Sequence, residues 1–500
     1  MYLLQLSLVM YALCSVYSAN ILAVFPTPAH SHHVVYKIYI QALAKQQHHN
    51  ITVIKPNILN YMDAKRVLPI REINADMSAQ QFKKLVTKSA IFRKRGAVSD
   101  ASTVTYANYL GLIEMFSDQF NNTSVRNLIN SNETFDLIIV EAFAEYSLVF
   151  GHFYSPAPVI QIAPGYGLTE NFETAGAVAR HPIHYPNIWR SDFQHTTENI
   201  AIEMRLYNEF RQLTSTSNVM LKKQFGPNTP TIQQLRNNVQ LLLLNLHPVF
   251  DNNRPVPPSV QYLGGGLHLT NSHINKLNTA LDHYMNSAKK GVIYVSFGAT
   301  FDTNTLATEF KIMLINLFAR LDEYTIFWKI DEKSIKNFNV SNNVYVQSWF
   351  NQRAILNHKK TVAFLTQGGL QSTDEAIEAQ IPMLCLPMMG DQFYHSQKLA
   401  QFKVARVLDT STVTASELLI NMQIVINDSS YKENIKKLYQ FLQKDKISFP
   451  PIDKALHFTE KVLQYGRYRL GSLKTTAANG PHAEYFMYET MFSTLMNHFF

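Results

Sequence analysis

The sequence predicts an α/β protein built from two doubly wound, Rossmann-like domains that face each other across a cleft. Three observations predict it. The chain has 500 residues, too many for one hydrophobic core and suited to two domains of roughly 200 to 250 residues each. Short apolar runs of strand length alternate with helical stretches in both halves, which is the pattern of parallel sheets covered on both faces. Between the halves, Arg254 to Gly266 (RPVPPSVQYLGGG) concentrates prolines and glycines, as a domain linker does.

The composition agrees. With 46% hydrophobic and 16% charged residues there is ample material for packed cores, and no case for disorder or a fibrous repeat. The formal charge of +8 is spread along the chain without a basic tract interleaved with aromatics, so no nucleic-acid partner is expected.

In chain order, the first eighteen residues (MYLLQLSLVMYALCSVYS) carry no charged side chain and are followed by Ala19; this reads as a secretory signal cleaved near Ser18 or Ala19. Cys14 lies inside it, so the mature chain would keep only Cys385 and form no internal disulfide. Sequons at Asn50, Asn121, Asn122, Asn132, Asn339 and Asn427 are compatible with a glycosylated, secreted product. Asn20 to Phe25 (NILAVF) reads as the first strand, Pro26 and Pro28 as a turn, His33 to Gln47 as a helix and Ile51 to Pro56 as a second strand, together a βαβ unit. FDLIIVEAF from Phe135, PVIQIAP from Pro158 and QLLLLNLHP from Gln240 continue the first sheet. Beyond the linker the second sheet is drawn from GVIYVSFG at Gly291, YTIFWKI at Tyr324, NVYVQSW at Asn343, VAFLTQ at Val362, PMLCLP at Pro382 and VARVLD at Val404, with a helix near Leu306 to Leu321. The apolar tail EYFMYETMFSTLMNHFF is broken by Glu484, Glu489 and Asn497 and falls short of the ~20 apolar residues of a membrane span. It reads as a docking helix rather than an anchor.

Doubly wound sheets bind ligands at the carboxyl ends of their strands, so the residues there decide the chemistry. Neither half has a G-x-G-x-x-G or G-x-x-x-x-G-K-[ST] motif, and the chain has no HExxH, no G-x-S-x-G and no Cys/His metal spacing; dinucleotide, P-loop, hydrolase and metal readings lose their support. What stands out is a polar cluster from Trp349 to Gln392. Thr366, Gln367, Gly368 and Gly369 lie between a strand and a helix, where backbone can approach a phosphate and the helix N-terminus offers N–H groups. Glu375 can accept from a ribose diol, Trp349 can stack on a base, and Asp391 with Gln392 offers acceptors and donors for sugar hydroxyls. Taken singly, each has an ordinary reading as a turn glycine, a core indole or a helix cap. Taken together at successive strand ends, they favour a nucleotide sugar.

Trp349, Gln352, the T-Q-G-G run, Glu375, Pro382, Pro387 and the Asp391-Gln392 pair resemble the signature of the UDP-glycosyltransferase family, whose usual form has T-H-G-G. The likeness spans nearly the whole mature chain, with Ser296 to Gly298 (SFG) and the P-x-P-P segment included. Within the family the chain looks like the ecdysteroid UDP-glucosyltransferases of insect baculoviruses. The resemblance implies a GT-B fold and inverting transfer of glucose from UDP-glucose to a hydroxyl of an insect moulting hormone, with no metal and no cofactor beyond that donor. It implies a signal at 1–19, an acceptor-binding domain at 20–253, a linker at 254–266, a UDP-sugar-binding domain at 267–460, and C-terminal helices at 461–500 packing back on the first domain. It assigns Trp349 and Gln352 to the uracil and ribose, and Gln367, Gly368, Gly369 and Gln371, with Ser296 and Gly298, to the diphosphate. Glu375 goes to the ribose hydroxyls, and Asp391 with Gln392 to glucose. Of His30, His32 and His33, which crowd the region after the first strand, Ser31-His32 matches the family's base, and Glu141 stands at its acidic position, usually Asp. The open alternatives are another small lipophilic acceptor, or a secreted binding protein without turnover.

Overall fold

The structure, a computed structural model, describes residues 18–62, 67–76, 106–181, 183–188, 197–269, 277–299, 304, 306–466, 473–475 and 478–479, and every count below is of these. The predicted signal, apart from Ser18 and Ala19, and the last twenty-one residues lie outside them.

The first domain is a seven-stranded parallel sheet formed by β1 (Asn20–Val24), β2 (Asn50–Lys55), β3 (Ile70–Asn74), β4 (Leu137–Glu141), β5 (Val159–Ala163), β6 (Val239–Leu244) and β7 (Val260–Tyr262). Its spatial order is 3-2-1-4-5-6-7. The second is a six-stranded parallel sheet of β8 (Val292–Ser296), β9 (Thr325–Lys329), β10 (Val344–Gln347), β11 (Thr361–Thr366), β12 (Met383–Cys385) and β13 (Ala405–Val407). Its order, 10-9-8-11-12-13, repeats the same winding. In each sheet the order reverses beside the first strand, between β1 and β4 and between β8 and β11, and a doubly wound sheet opens its ligand crevice at that reversal.

Alternation with period two sends the strands' side chains into separate cores. Ile21 and Ala23 pack with Tyr36, Tyr39 and Leu43 of helix α1 (His30–Gln46). Leu22 and Val24 pack on the opposite face with Phe116 and Phe120 of α2 (Tyr106–Phe120) and Leu206 and Phe210 of α3 (Thr197–Phe225). In the second sheet Ile293 and Val295 meet Phe310 and Phe318 of α4 (Thr308–Ala319). Val292 and Tyr294 join a cluster that runs into the first domain through Leu244, Tyr166 and Phe172. The two domains therefore share apolar contact beside the cleft. The remaining helices that matter below are α5 (Gln352–Leu356), α6 (Leu370–Glu378), α7 (Gln392–Gln401), α8 (Ser429–Ser448) and α9 (Pro451–Tyr465).

The structure revises three expectations. The helix expected from His33 starts a turn earlier: Ala29 is the N-cap and His30 already begins α1, because nothing after Pro28 interrupts the helix. The segment expected to link the domains contains β7, and Arg254 in it is buried against Asp251; the turn that leaves the first domain is Gly264 to Gly266, all at positive φ. The return to the first domain starts at Pro451 rather than 461. Helix α9 buries Ile452, Leu456 and Val462 in the α1 core, and Thr459 and Glu460 bond Tyr39 and His49. Each such aliphatic residue is worth about 1.5–3 kcal/mol on burial, so this helix is an integral part of the first domain.

Candidate active site

The site lies in a cavity of about 700 Å³ between the two reversal points, with walls from both domains. On the first-domain side, β1 and β4 are hydrogen-bonded neighbours that end together. Glu141 closes β4 and is fully buried; the first turn of α1 places His32 above it. Nδ1 of His32 lies 2.7 Å from Oε1 of Glu141, while Oε2 accepts from the Thr27 N–H at 3.1 Å. A carboxylate held on both oxygens fixes Nδ1–H as the donor, which leaves Nε2 as the basic atom toward the cavity. Neighbouring His33 is built differently: Nδ1 meets the Tyr61 hydroxyl, Nε2 donates to Thr27 O, and burial pushes its pKa down to about 4. It is a neutral core histidine. Val34, Tyr109, Leu112, Phe116 and Phe143 give this half of the cavity an aromatic and aliphatic lining.

On the second-domain side, Ser296 and Thr366 end the paired strands β8 and β11. Gly298 and Gly368 hold positive φ, +81° and +80°. A methyl on Gly298 would overlap the Gln367 carboxamide, and one on Gly368 would overlap the Ser396 hydroxyl. Both loops thus bring backbone where a side chain has no room. Gly369 caps α6 without any side-chain cap and no acidic residue stands in the first turn, so the leading N–H groups and the positive dipole end face the cavity. Gln367, Gly298 and Gly369 line it; Ser296 and Gly368 stand behind the surface and shape it.

The other expected residues converge on the same space. Trp349 follows β10 with 56% of its surface exposed, an open indole face at the cleft rather than a core ring. Gln352 opens α5, and its amide donates to Glu375 Oε2 at 2.8 Å and Ser372 Oγ at 3.0 Å. Burial raises the Glu375 carboxyl to about 7. Burial also pushes Asp391 up, against a smaller downward pull from the charge of His32 across the cleft. Gln392 accepts from the N–H groups of Met388 and Met389 through Oε1, so its NH2 is the end it can offer a sugar. Gln371 lines the cavity, but its amide reaches the other domain and donates to Pro164 O at 2.9 Å; here it ties the domains together.

The family profile described as UDP-glucoronosyl and UDP-glucosyl transferase matches residues 20–474. The chain belongs to this UDP-glycosyltransferase family. It is 62% identical, over 97% of both chains, to an ecdysteroid UDP-glucosyltransferase of Autographa californica nuclear polyhedrosis virus. It is 56% identical, over 94% of this chain and 96% of the other, to a protein of the same name from Choristoneura fumiferana defective polyhedrosis virus. Among solved structures it resembles the glycotransferase of kitacinnamycin with a TM-score of 0.58 at 15% identity, over 89% of this chain and all of that one. The fold is GT-B, and the protein is an enzyme that uses a UDP-sugar donor and a small acceptor.

In this UDP-glycosyltransferase the structure adds residues that sequence reasoning missed. Lys329 ends β9 directly opposite Ser296 in register, with Nζ 3.1 Å from Gly298 O and 4.1 Å from the Trp349 ring centre. His30 meets the same indole edge-on at 5.5 Å, and burial followed by the charge of Lys329 lowers its pKa. The signal for Lys329 was in the sequence, as a cation at the carboxyl end of a strand neighbouring the switch strand. Behind α6, Thr373 and Tyr166 clasp His395 at 2.8 and 2.9 Å, and burial pushes that imidazole down to about 3, a neutral tie between the domains.

Proposed function

We propose that this enzyme transfers glucose from UDP-glucose to a hydroxyl group of an ecdysteroid, with inversion at the anomeric carbon, and so inactivates an insect moulting hormone. The observation that carries the reading is the His32–Glu141 pair at 2.7 Å, set in an apolar chamber that opens onto the glycine and helix-terminus cradle of the second domain. An aromatic and aliphatic lining suits a largely apolar polycyclic acceptor, and the relatives of highest identity given above carry the name ecdysteroid UDP-glucosyltransferase.

The chemistry follows from the placement. Nε2 of His32 takes the acceptor's proton while buried Glu141 steadies the imidazolium. The acceptor oxygen attacks the anomeric carbon from the first-domain side as UDP departs into the second, and one displacement on an α-linked donor gives a β-linked product. Trp349 stacks the base, Gln352 and Glu375 hold the ribose edge, the cradle from Gln367 to Gly369 with Gly298 takes the diphosphate, and Asp391 and Gln392 bind the hexose. The carboxyl of Asp391 disfavours an acidic sugar by like-charge repulsion. The reading calls on no metal ion, since the α6 N-terminus meets the diphosphate charge.

We also propose that the protein is secreted. The N-terminal apolar run supports this, as does the sequon Asn132-Glu133-Thr134, which lies exposed on a loop. Among the described residues no helix is long and apolar enough to cross a membrane.

The test is a panel of UDP-sugars against ecdysone and a simple phenol, read as UDP release and product mass. Glucose transfer to ecdysone should exceed every other combination by about 10-fold or more. Equal turnover of the phenol would overturn the ecdysteroid assignment, and a preference for UDP-galactose or UDP-glucuronate would overturn the glucose assignment.

A further inference from the structure

One short loop of the first domain stands between His32 and the cradle. β5 pairs with β4 so that Ile162 lies opposite Glu141, and the chain then runs through Pro164, Gly165 and Tyr166, all of which line the cavity. Each of the three meets the start of α6 or α7. Pro164 O accepts from the Gln371 amide at 2.9 Å, and a methyl on Gly165 would come within 2.9 Å of the Leu370 side chain. The Tyr166 hydroxyl lies 2.9 Å from Nδ1 of His395, and Nε2 of His395 lies 2.8 Å from Oγ1 of Thr373. His395 sits in the first turn of α7, which Gln392 opens, and Thr373 in the first turn of α6, which follows the diphosphate cradle.

These bonds run in one direction only. Thr373 donates its single hydroxyl hydrogen to Leu370 O at 2.8 Å, so its oxygen accepts from His395 and Nε2 carries the imidazole hydrogen. Nδ1 is then the acceptor and Tyr166 the donor. Burial enforces this form: it pushes His395 down to about 3 and Tyr166 well above the usual phenol range, so neither changes protonation near neutral pH. Tyr166, His395 and Thr373 are each at most 1% exposed. Without water to replace a partner, bonds of fixed polarity hold their ends at one separation.

We infer that Tyr166 and His395 are positioning residues that set the distance between His32 and the anomeric carbon of the donor. The inference rests on the donor reading above. One path of contacts runs from His32 through Glu141 and β5 to Tyr166. The other runs from His395 through the first turns of α6 and α7 to the residues assigned to the diphosphate and the hexose. The Tyr166–His395 bond is where they meet. Attack needs the acceptor oxygen and the anomeric carbon about 3–3.5 Å apart, and a misplacement of about 1 Å costs on the order of 100-fold in rate. Neither residue takes part in the bond changes: the acceptor proton goes to His32, and the electron pair of the broken sugar–phosphate bond leaves with UDP.

The experiment is steady-state transfer and UDP titration calorimetry on the full chain and on its Tyr166→Phe, His395→Leu and His395→Gln variants, with the double variant Tyr166→Phe/His395→Leu. Tyr166→Phe, which removes one oxygen, should lower kcat by about 10- to 100-fold and leave UDP affinity within about twofold. His395→Leu should do the same. The double variant should fall no more than about threefold below the worse single one, because both changes remove one tie. His395→Gln, which keeps a donor and an acceptor, should restore kcat to within about threefold of the unaltered protein. A Tyr166→Phe protein with normal kcat overturns the inference, and so does one that loses UDP affinity in step with kcat, which marks a role in shaping the second domain. Losses that multiply in the double variant overturn it too. If His395→Leu does not fold, the kcat and UDP affinity of Tyr166→Phe decide. Failure of the unaltered protein to bind UDP would instead overturn the donor reading itself.

Discussion

The two reversal points of this molecule share one topology and differ in almost everything else. In the first sheet, β1 ends in a turn with prolines and β4 in the buried Glu141, which backs the imidazole of His32. In the second, β8 and β11 end in glycines at positive φ beside the bare N-terminus of α6. The winding supplies two adjacent strand ends and a crevice; the side chains on those ends decide whether the crevice removes a proton or holds an anion. The difference also shows in burial. Glu141 is sealed away behind His32, whereas the second side presents half-buried Gly298 and Gly369 and the exposed indole of Trp349.

If the first side is the base and the second is the cradle, damage to one should leave the other intact. The largest effect is expected from Glu141→Gln. Neutralising the carboxylate behind a catalytic histidine costs about 10⁴-fold in a protease triad, and kcat here should fall by about 10³- to 10⁴-fold with UDP affinity held within about twofold. Parallel loss of UDP binding, measured by calorimetry, would mean that the two sides are not separable. Gly368→Ala is the converse. Its φ of +80° and the Ser396 hydroxyl beside it oppose a methyl group, and strain of this kind, about 1–3 kcal/mol, should weaken UDP by about 5- to 100-fold. The His32–Glu141 pair should be untouched, so a variant that binds UDP normally would show that this loop is not the cradle.

The smallest effect is a pH dependence. With Glu375 raised to about 7 by burial, its carboxyl is protonated below that pH and charged above it. A charged carboxylate is the stronger acceptor for ribose hydroxyls, so uridine affinity should fall by about threefold to 10-fold between pH 8 and pH 6. Glu375→Gln should flatten the profile. An unchanged slope in that variant would remove Glu375 from nucleoside recognition.

The strong apolar runs made most of this architecture legible. β1, β4, β5, β6, β8 and β11 are each buried on both faces, and nearly continuous Val, Ile and Leu give them away. β3 (IREIN) lies at the sheet edge with only Ile70 buried and carries no such run, and β7 is three residues long inside a proline-rich segment. Neither could be read from pattern alone. Likewise the motif residues from Trp349 to Gln392 could be assembled because they sit on successive strand ends. Lys329 was hidden because a lysine ending an apolar strand looks like a boundary until the register sets it opposite Ser296. The bond from Gln371 to Pro164 and the clasp on His395 join residues more than 200 positions apart, and local sequence carries no trace of such pairings.

The central claim is that His32 is the base while the second domain alone holds UDP. His32→Ala in the full chain tests it directly, with UDP affinity and ecdysteroid-dependent UDP release measured on the same preparation. The variant should bind UDP within about twofold of the unaltered protein and transfer glucose at least about 10²- to 10⁴-fold more slowly, the scale of a lost general base. Near-normal transfer by a variant that still binds UDP would contradict it.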